Sequence, residues 1–261
     1  MSTFRPMADL DDIAFSPGAE DWIEFGPLDA RERVSFHDYA SLYAIPGLYE
    51  RVFIDELGMC SAQRIVGLYA DVLQRLGRSP ADERALDLGA GNGIGGEALR
   101  QVGVGRVVAI DLEPQAREAA RRDRPGVYDD YVVGDLANLP QAQLAALADF
   151  EPTAVLALSA LGPGHASPVV LDRALGLLAG GGLFGFAVTP TLLAESDDPD
   201  GRATGYPEFL LELFAQRADE LVRRAYVHRR RTDGSDDLGV AFVGRVRVDD
   251  DAGSASANLD C

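Results

Sequence analysis

Three carboxylates and a run of glycines carry the chemistry this chain can do. Asp87 stands two residues before the turn Gly89-Ala90-Gly91-Asn92-Gly93, Asp111 closes the next apolar run, and Asp135 follows the one after that. Glycine permits a backbone with φ > 0 and lets a ligand approach the main chain. The helix expected from near Gly95 presents unpaired N–H groups beside the turn. Together these describe a site for a polar small molecule lying across Gly89, Gly91 and Gly93, with acids placed to meet cationic or hydroxyl groups.

A repeating frame must place those residues. Apolar runs at 85–88, 106–110, 128–133, 154–158 and 183–188 alternate with helical stretches at 94–102, 114–122, 142–148 and 168–178. Strand and helix in alternation argue a parallel sheet covered on both faces. A helix at 206–217 and two strands, 221–230 and 239–248, follow; the strands are expected to pair antiparallel at one sheet edge. Upstream, residues 1 to about 35 read as an arm with little regular structure until Trp22 to Phe25, which is expected to dock, and 36–76 as helical pieces broken at Pro46-Gly47. Ser61 is placed to cap the last piece, over which Ile65, Val66, Tyr69, Val72 and Leu73 keep helical spacing. The chain thus divides into an arm and helical cap (1–80), an α/β domain (81–248) and an acidic, then Ser/Ala/Gly-rich tail (249–261) expected to be disordered.

Composition excludes several classes of partner. A formal charge of −18 repels phosphodiester backbones and anionic lipid, so nucleic acid and membrane are not expected partners. All 24 basic residues are arginine, which removes a Schiff-base lysine and a phosphate-loop lysine. Two cysteines, Cys60 and Cys261, and three separated histidines, His37, His165 and His228, do not indicate a metal centre. No apolar run is long enough to span a bilayer, and residues 1–10 lack the pattern of a secretory signal, so a cytoplasmic location is expected.

The glycines alone leave two nucleotide cofactors open. Gly91-Asn-Gly-Ile-Gly-Gly96 satisfies the dinucleotide fingerprint, and Asp111 stands where a ribose-binding acid belongs, which suits NAD. Asp87 favours S-adenosylmethionine (SAM) instead: its cationic amino group seeks a carboxylate, whereas a pyrophosphate is repelled by one. Asp135 can accept from the adenine amine while Leu136 offers its backbone N–H, and the strand series starts only after some 80 residues. Each acid also has a plainer reading. Asp87 could bond the glycine-loop amides, Asp111 could cap the Pro114 helix, and Asp135 could cap the turn that follows it.

Leu86-Asp-Leu-Gly-Ala-Gly-Asn-Gly93, Ala109-Ile-Asp-Leu-Glu113, Gly134-Asp-Leu136 and Leu178-Ala-Gly-Gly-Gly-Leu183 resemble the successive motifs of class I SAM-dependent methyltransferases. The likeness is to their small-molecule branch, of quinone-type and natural-product enzymes with an N-terminal helical cap, and covers roughly residues 40–190. It implies a Rossmann-like α/β fold with a seven-stranded, mostly parallel sheet of order 3-2-1-4-5-7-6, strand 7 antiparallel. It further implies that Asp87, Gly89, Ala90 and Gly91 face the methionine part, Asp111 the ribose and Leu112, Asp135 and Leu136 the adenine.

The acceptor belongs beyond the fourth strand, at Leu158-Ser-Ala-Leu-Gly-Pro-Gly-His165. This stretch lacks the Asn/Asp-Pro-Pro-Tyr/Phe of nucleic-acid amino-methylating enzymes and the acids of metal-assisted catechol enzymes. Ser159 and Leu161 are expected to border the sulfonium and the acceptor. His165 is the acid–base candidate, with His37 second, while His228, among Arg229, Arg230 and Arg231, is expected on a solvated face. Phe36, Tyr39, Tyr43, Tyr49 and Phe53 either cap the sulfonium, Tyr43 foremost, or form core. The expected activity is methyl transfer to a small molecule of secondary metabolism, at oxygen or nitrogen in preference to carbon. The alternative is a SAM-binding protein that does not methylate: a rearrangement or cyclisation catalyst, or a partner subunit of a biosynthetic complex. A homodimer is admitted by either reading.

Overall fold

The computed structural model describes residues 10, 12–16 and 21–248, so the tail expected at 249–261 lies outside the described residues. The N-terminal segment is more ordered than its sequence suggests. Strands β1 (Ala14–Phe15), β2 (Trp22–Phe25) and β3 (Glu32–Ser35) form a small antiparallel sheet. Ile23 and Phe25 alternate inward onto Phe36, Leu42, Leu48 and Val52, so a four-residue strand becomes stable by docking on helices that follow it. Those helices are α1 (Tyr39–Ala44), capped by the Asp38 carboxylate, and α2 (Leu48–Glu50), which runs on as a π-helical turn over Arg51–Glu56.

Helix α3 (Ser61–Leu76) follows and closes at Gly77 in a left-handed conformation. Ser61 is its first residue but not its cap; Cys60 holds the cap position, and the Ser61 hydroxyl is turned to other partners. The alternating frame then appears as expected: β4 (Arg84–Leu88), α4 (Ile94–Gln101), β5 (Arg106–Asp111), α5 (Pro114–Asp123), β6 (Asp130–Val133), α6 (Gln141–Asp149), β7 (Ala154–Ala157), α7 (Pro168–Leu175) and β8 (Leu183–Val188). Two short helices, α8 (Pro199–Ala203) and α9 (Tyr206–Glu212), lead to the long strands β9 (Ala218–Arg230) and β10 (Asp236–Val246). The sheet order β6-β5-β4-β7-β8-β10-β9, with β10 antiparallel to both neighbours, is the order 3-2-1-4-5-7-6.

Side chains alternate across the sheet and give its faces different bulk. Leu86, Phe184, Phe186 and Phe242 meet α6, α7 and α9 on one face. Ala85, Leu156, Ala187 and Ala241 meet α3 and α4 on the other. The small residues let α3 approach closely: a Cβ on Gly185 would fall 3.1 Å from Ile65 Cγ2. Helix α3 thus covers the sheet with most of its length. Asp87 alternates onto this same face, below the start of α4. No helix among the described residues is long and apolar enough to cross a membrane.

One buried carboxylate fixes α3 to the sheet just before β4. Glu83, 3% exposed, accepts from Arg78 (2.6 and 2.8 Å), the Thr153 hydroxyl (2.7 Å) and the Tyr69 phenol (3.2 Å). Removing it takes the carboxylate partner from Arg78, which keeps only the Gly181 carbonyl, and an acceptor from the Thr153 and buried Tyr69 hydroxyls. Glu83→Ala is expected to lower stability by about 3 kcal/mol, seen as a reduced urea midpoint with an unchanged slope.

Candidate active site

Beyond the carboxyl ends of the parallel strands, where open α/β sheets bind ligands, lies a cavity of about 840 Å³. Tyr43, Asp87, Gly89, Ala90, Gly91, Asp111, Leu112, Asp135, Leu136, Ser159 and His165 all line it, whereas Gly93, expected under the ligand, does not and packs near Arg124 and Val127 instead. The glycine turn forms its floor. Gly89 and Gly91 sit at φ +70° and +54°, and a Cβ on Gly91 would fall 2.5 Å from the Tyr43 phenol oxygen.

Asp87 ends up 1% exposed, with Oδ2 accepting from the Tyr128 phenol at 2.7 Å. That phenol in turn accepts from the Gly96 N–H. Two consecutive glycines inside α4 cost helix stability, and the geometry shows what requires them. A Cβ on Gly95 would lie 2.6 Å from Asp87 Oδ2, and one on Gly96 2.4 Å from the Tyr128 ring. Burial pushes the Asp87 carboxyl up to about 7, against the Tyr128 hydrogen bond and with help from the charge of Asp111. Tyr128 was not found from sequence, because its contact with Asp87 spans 41 residues and no local pattern marks it.

Asp111 accepts at Oδ2 from Gly91 N–H (2.8 Å) and at Oδ1 from Glu113 N–H (2.9 Å), while Glu113 itself occupies the cap position of α5. Burial raises the Asp111 pKa and these amides oppose the rise. Leu112 beside it is 64% exposed. Asp135 caps the turn Leu136–Asn138, accepting from Ala137 N–H and the Asn138 amide. Each carboxylate has about four lone-pair sites, so these contacts leave both Asp111 and Asp135 able to accept from a ligand. Ser159 is held at φ +79°, and its buried Oγ has no hydrogen-bond partner among the described residues. A residue that lines a cavity, is held at positive φ and keeps a buried hydroxyl unsatisfied is the kind of feature that clusters at functional sites.

The far wall carries the histidines. His165 stands exposed in the loop after β7, its ring centroid 5.6 Å from Tyr39 and 6.2 Å from His37. The surrounding protein, then His37, hold its pKa below the usual imidazole value. His228 departs from the sequence expectation of a solvated face. It is half-buried and lines the cavity, with Nδ1 2.5 Å from the Ser61 hydroxyl. In the β9–β10 register Arg229 faces Asp237 and Val227 faces Leu238, so His228 is the extra residue of a bulge that turns its ring inward.

Residues 86–184 match a family model described as a methyltransferase domain. The matched segment carries the glycine turn Gly89–Gly93. It holds β4 to β8, with Asp87, Asp111 and Asp135. The chain is similar in sequence to a ribosomal protein L11 methyltransferase of Aeromonas hydrophila subsp. hydrophila. The two are 33% identical over 122 residues, 46% of this chain and 37% of that one, so the match spans little more than a third of the relative. A SAM-dependent methyltransferase from Anabaena variabilis shares the fold, with a TM-score of 0.56 at 15% identity over 82% of this chain and 96% of that one. A candidate RNA methyltransferase from Pyrococcus horikoshii does so at 0.51 and 14%, over 71% and 83%. These solved structures share the arrangement of the central sheet and its helices with this chain.

The Asp87 value sets a sign for stability. With 3.8 as the ordinary value and about 7 when folded, the folded protein keeps a proton that the unfolded chain has released across that window. The ligand-free protein therefore loses up to about 4 kcal/mol from this group as pH rises from about 4 to about 7. Asp87→Asn is expected to abolish that part of the slope, checked by comparing melting temperatures of the two proteins across pH.

Proposed function

We propose that this protein is a SAM-dependent methyltransferase that methylates a small molecule, at oxygen or nitrogen in preference to carbon. The observation that carries the reading is Asp87: a carboxylate buried beneath a glycine turn, whose charged form a cationic ligand would stabilise. The residues present fit the cofactor. Asp87, Gly89, Ala90, Gly91 and the Ser159 hydroxyl would take its methionine part, with Tyr43 over the turn. Asp111 would take the ribose hydroxyls, bare Leu112 the flat face of the base, and Asp135 with Leu136 its edge. SAM, when bound, supplies an electrophilic methyl group on a sulfonium.

The chain's own part is alignment, exclusion of water and removal of one proton. Aromatic rings from Phe36 to Phe53 wall the acceptor side and keep it dry. Neutral at ordinary pH because its pKa is lowered, His165 can take the proton of an acceptor hydroxyl or amine. Holding the acceptor in line supplies much of the rate. A walled cavity of this size and a charge of −18 support a small-molecule acceptor over a nucleic acid.

Calorimetry tests the cofactor: SAM is expected to bind and NADH not to. Because the SAM ammonium needs Asp87 ionised, affinity should tighten by up to about tenfold per pH unit below about 7 and level off above it. Binding of NADH without SAM would end the reading. Incubation with radiolabelled SAM and a metabolite extract identifies the acceptor. With that acceptor saturating, His165→Ala should lower kcat by about 100-fold, and an unchanged kcat removes His165 as the base.

A further inference from the structure

All three histidines of the chain line the one cavity, but at two places. His37 and His165 stand together beside Tyr39. His228 belongs to a second group: its Nδ1 is 2.5 Å from Ser61 Oγ, which is 2.6 Å from the Tyr226 phenol oxygen. Three separate features build this group. The bulge in β9 turns His228 inward. The His228 carbonyl accepts from Cys60 N–H at 3.1 Å, which sets the first turn of α3, and Ser61 with it, against the strand. Gly239, opposite Tyr226, leaves the ring its place, since a Cβ there would fall 2.9 Å from Tyr226 Cε1.

The chemistry of the group selects its ligand. Two hydroxyls and an imidazole each donate or accept, so together they suit a neutral hydroxyl or carbonyl. Burial pushes the Tyr226 phenol up to about 12, which keeps it protonated. The neighbouring Arg229 is paired with Asp237 at 3.2 Å, a carboxylate that Arg231 shares from the more exposed side, so Arg229 is not a bare cation beside the group. The cavity also carries a run of rings, Tyr39, Tyr43, Tyr49, Phe53 and Phe36, with successive centroids 6.2, 4.9, 4.8 and 5.2 Å apart. Such a wall suits a planar ring system.

We propose that Ser61, Tyr226 and His228 form a recognition subsite for a second oxygen substituent on an aromatic acceptor whose first, methylated substituent faces His165. This rests on the methyltransferase reading. The subsite sets specificity and takes no part in the bond change.

The test measures binding of probes to protein loaded with S-adenosylhomocysteine, by calorimetry, using 1-naphthol and the isomeric dihydroxynaphthalenes. At least one dihydroxy isomer is expected to bind wild-type protein about fivefold tighter than 1-naphthol, the gain of a partly buried hydrogen bond. Ser61→Ala/His228→Leu should erase that advantage. Tyr226→Phe, which keeps the ring, should reduce it and decides the matter where the double variant does not fold. Equal affinity of wild-type protein for all the naphthols, no binding of any, or an advantage that survives the substitutions overturns the subsite. Wild-type protein that fails to bind S-adenosylhomocysteine overturns the methyltransferase reading instead, so the two failures are told apart.

Discussion

Asp87 is buried at the carboxyl end of β4 with a single phenol for company, and the glycine-turn side of the cavity is arranged around that fact. A lone carboxylate in a dry setting is expensive, and a fold selected only for stability would place an apolar side chain there. Accommodating it requires Gly95 and Gly96 in the first turns of α4, where each weakens the helix, and it requires Tyr128 to cross from the segment before β6. The same helix opens beside the turn with Gly93 in a left-handed conformation. Turn, helix start and strand end are thus one unit built about a charge.

The cap is tied to that unit by charged contacts that a hydrophobic core could not supply with the same precision of placement. Asn92, inside the glycine turn, donates to Glu50 of α2 at 2.9 Å. Arg124 then bridges Glu50 and Glu97 at 2.7 and 2.8 Å, joining α2, the end of α5 and α4. Arg122 donates to the Tyr43 carbonyl at the end of α1. Tyr43 is thereby held over Gly91, and Tyr131 donates to the Gly91 carbonyl from the opposite side. Ordering the turn and ordering the aromatic wall are one event.

Much of this was legible in the chain because it is local. Asp87 before Gly89, Asp111 at a strand end and Asp135 before Leu136 all fall on the cavity, since strand ends in a parallel sheet share one edge. The apolar runs likewise foretold the sheet and its order. What was not legible depends on distant contact. Trp22-Ile-Glu-Phe25 forms a strand only because Phe36, Leu42 and Val52 arrive to cover it. The arginines after His228 suggest a solvated face, but one unpaired residue in the β9–β10 register reverses the direction of the ring. Ser61 has the right type for a cap and instead answers to Tyr226 and His228, 165 and 167 residues away.

The contacts Cys60 N–H to His228 C=O and Arg230 N–H to Leu57 C=O have an implication for biosynthesis. Strands β4 to β8 and their acids emerge from the ribosome as a consecutive series with largely neighbouring contacts, so this part of the cavity can take shape early. The segment at 57–60 must wait some 170 residues for the strand it bonds to. Translation thus supplies the floor of the cavity, with its acids, before the wall that β9 and the start of α3 build together.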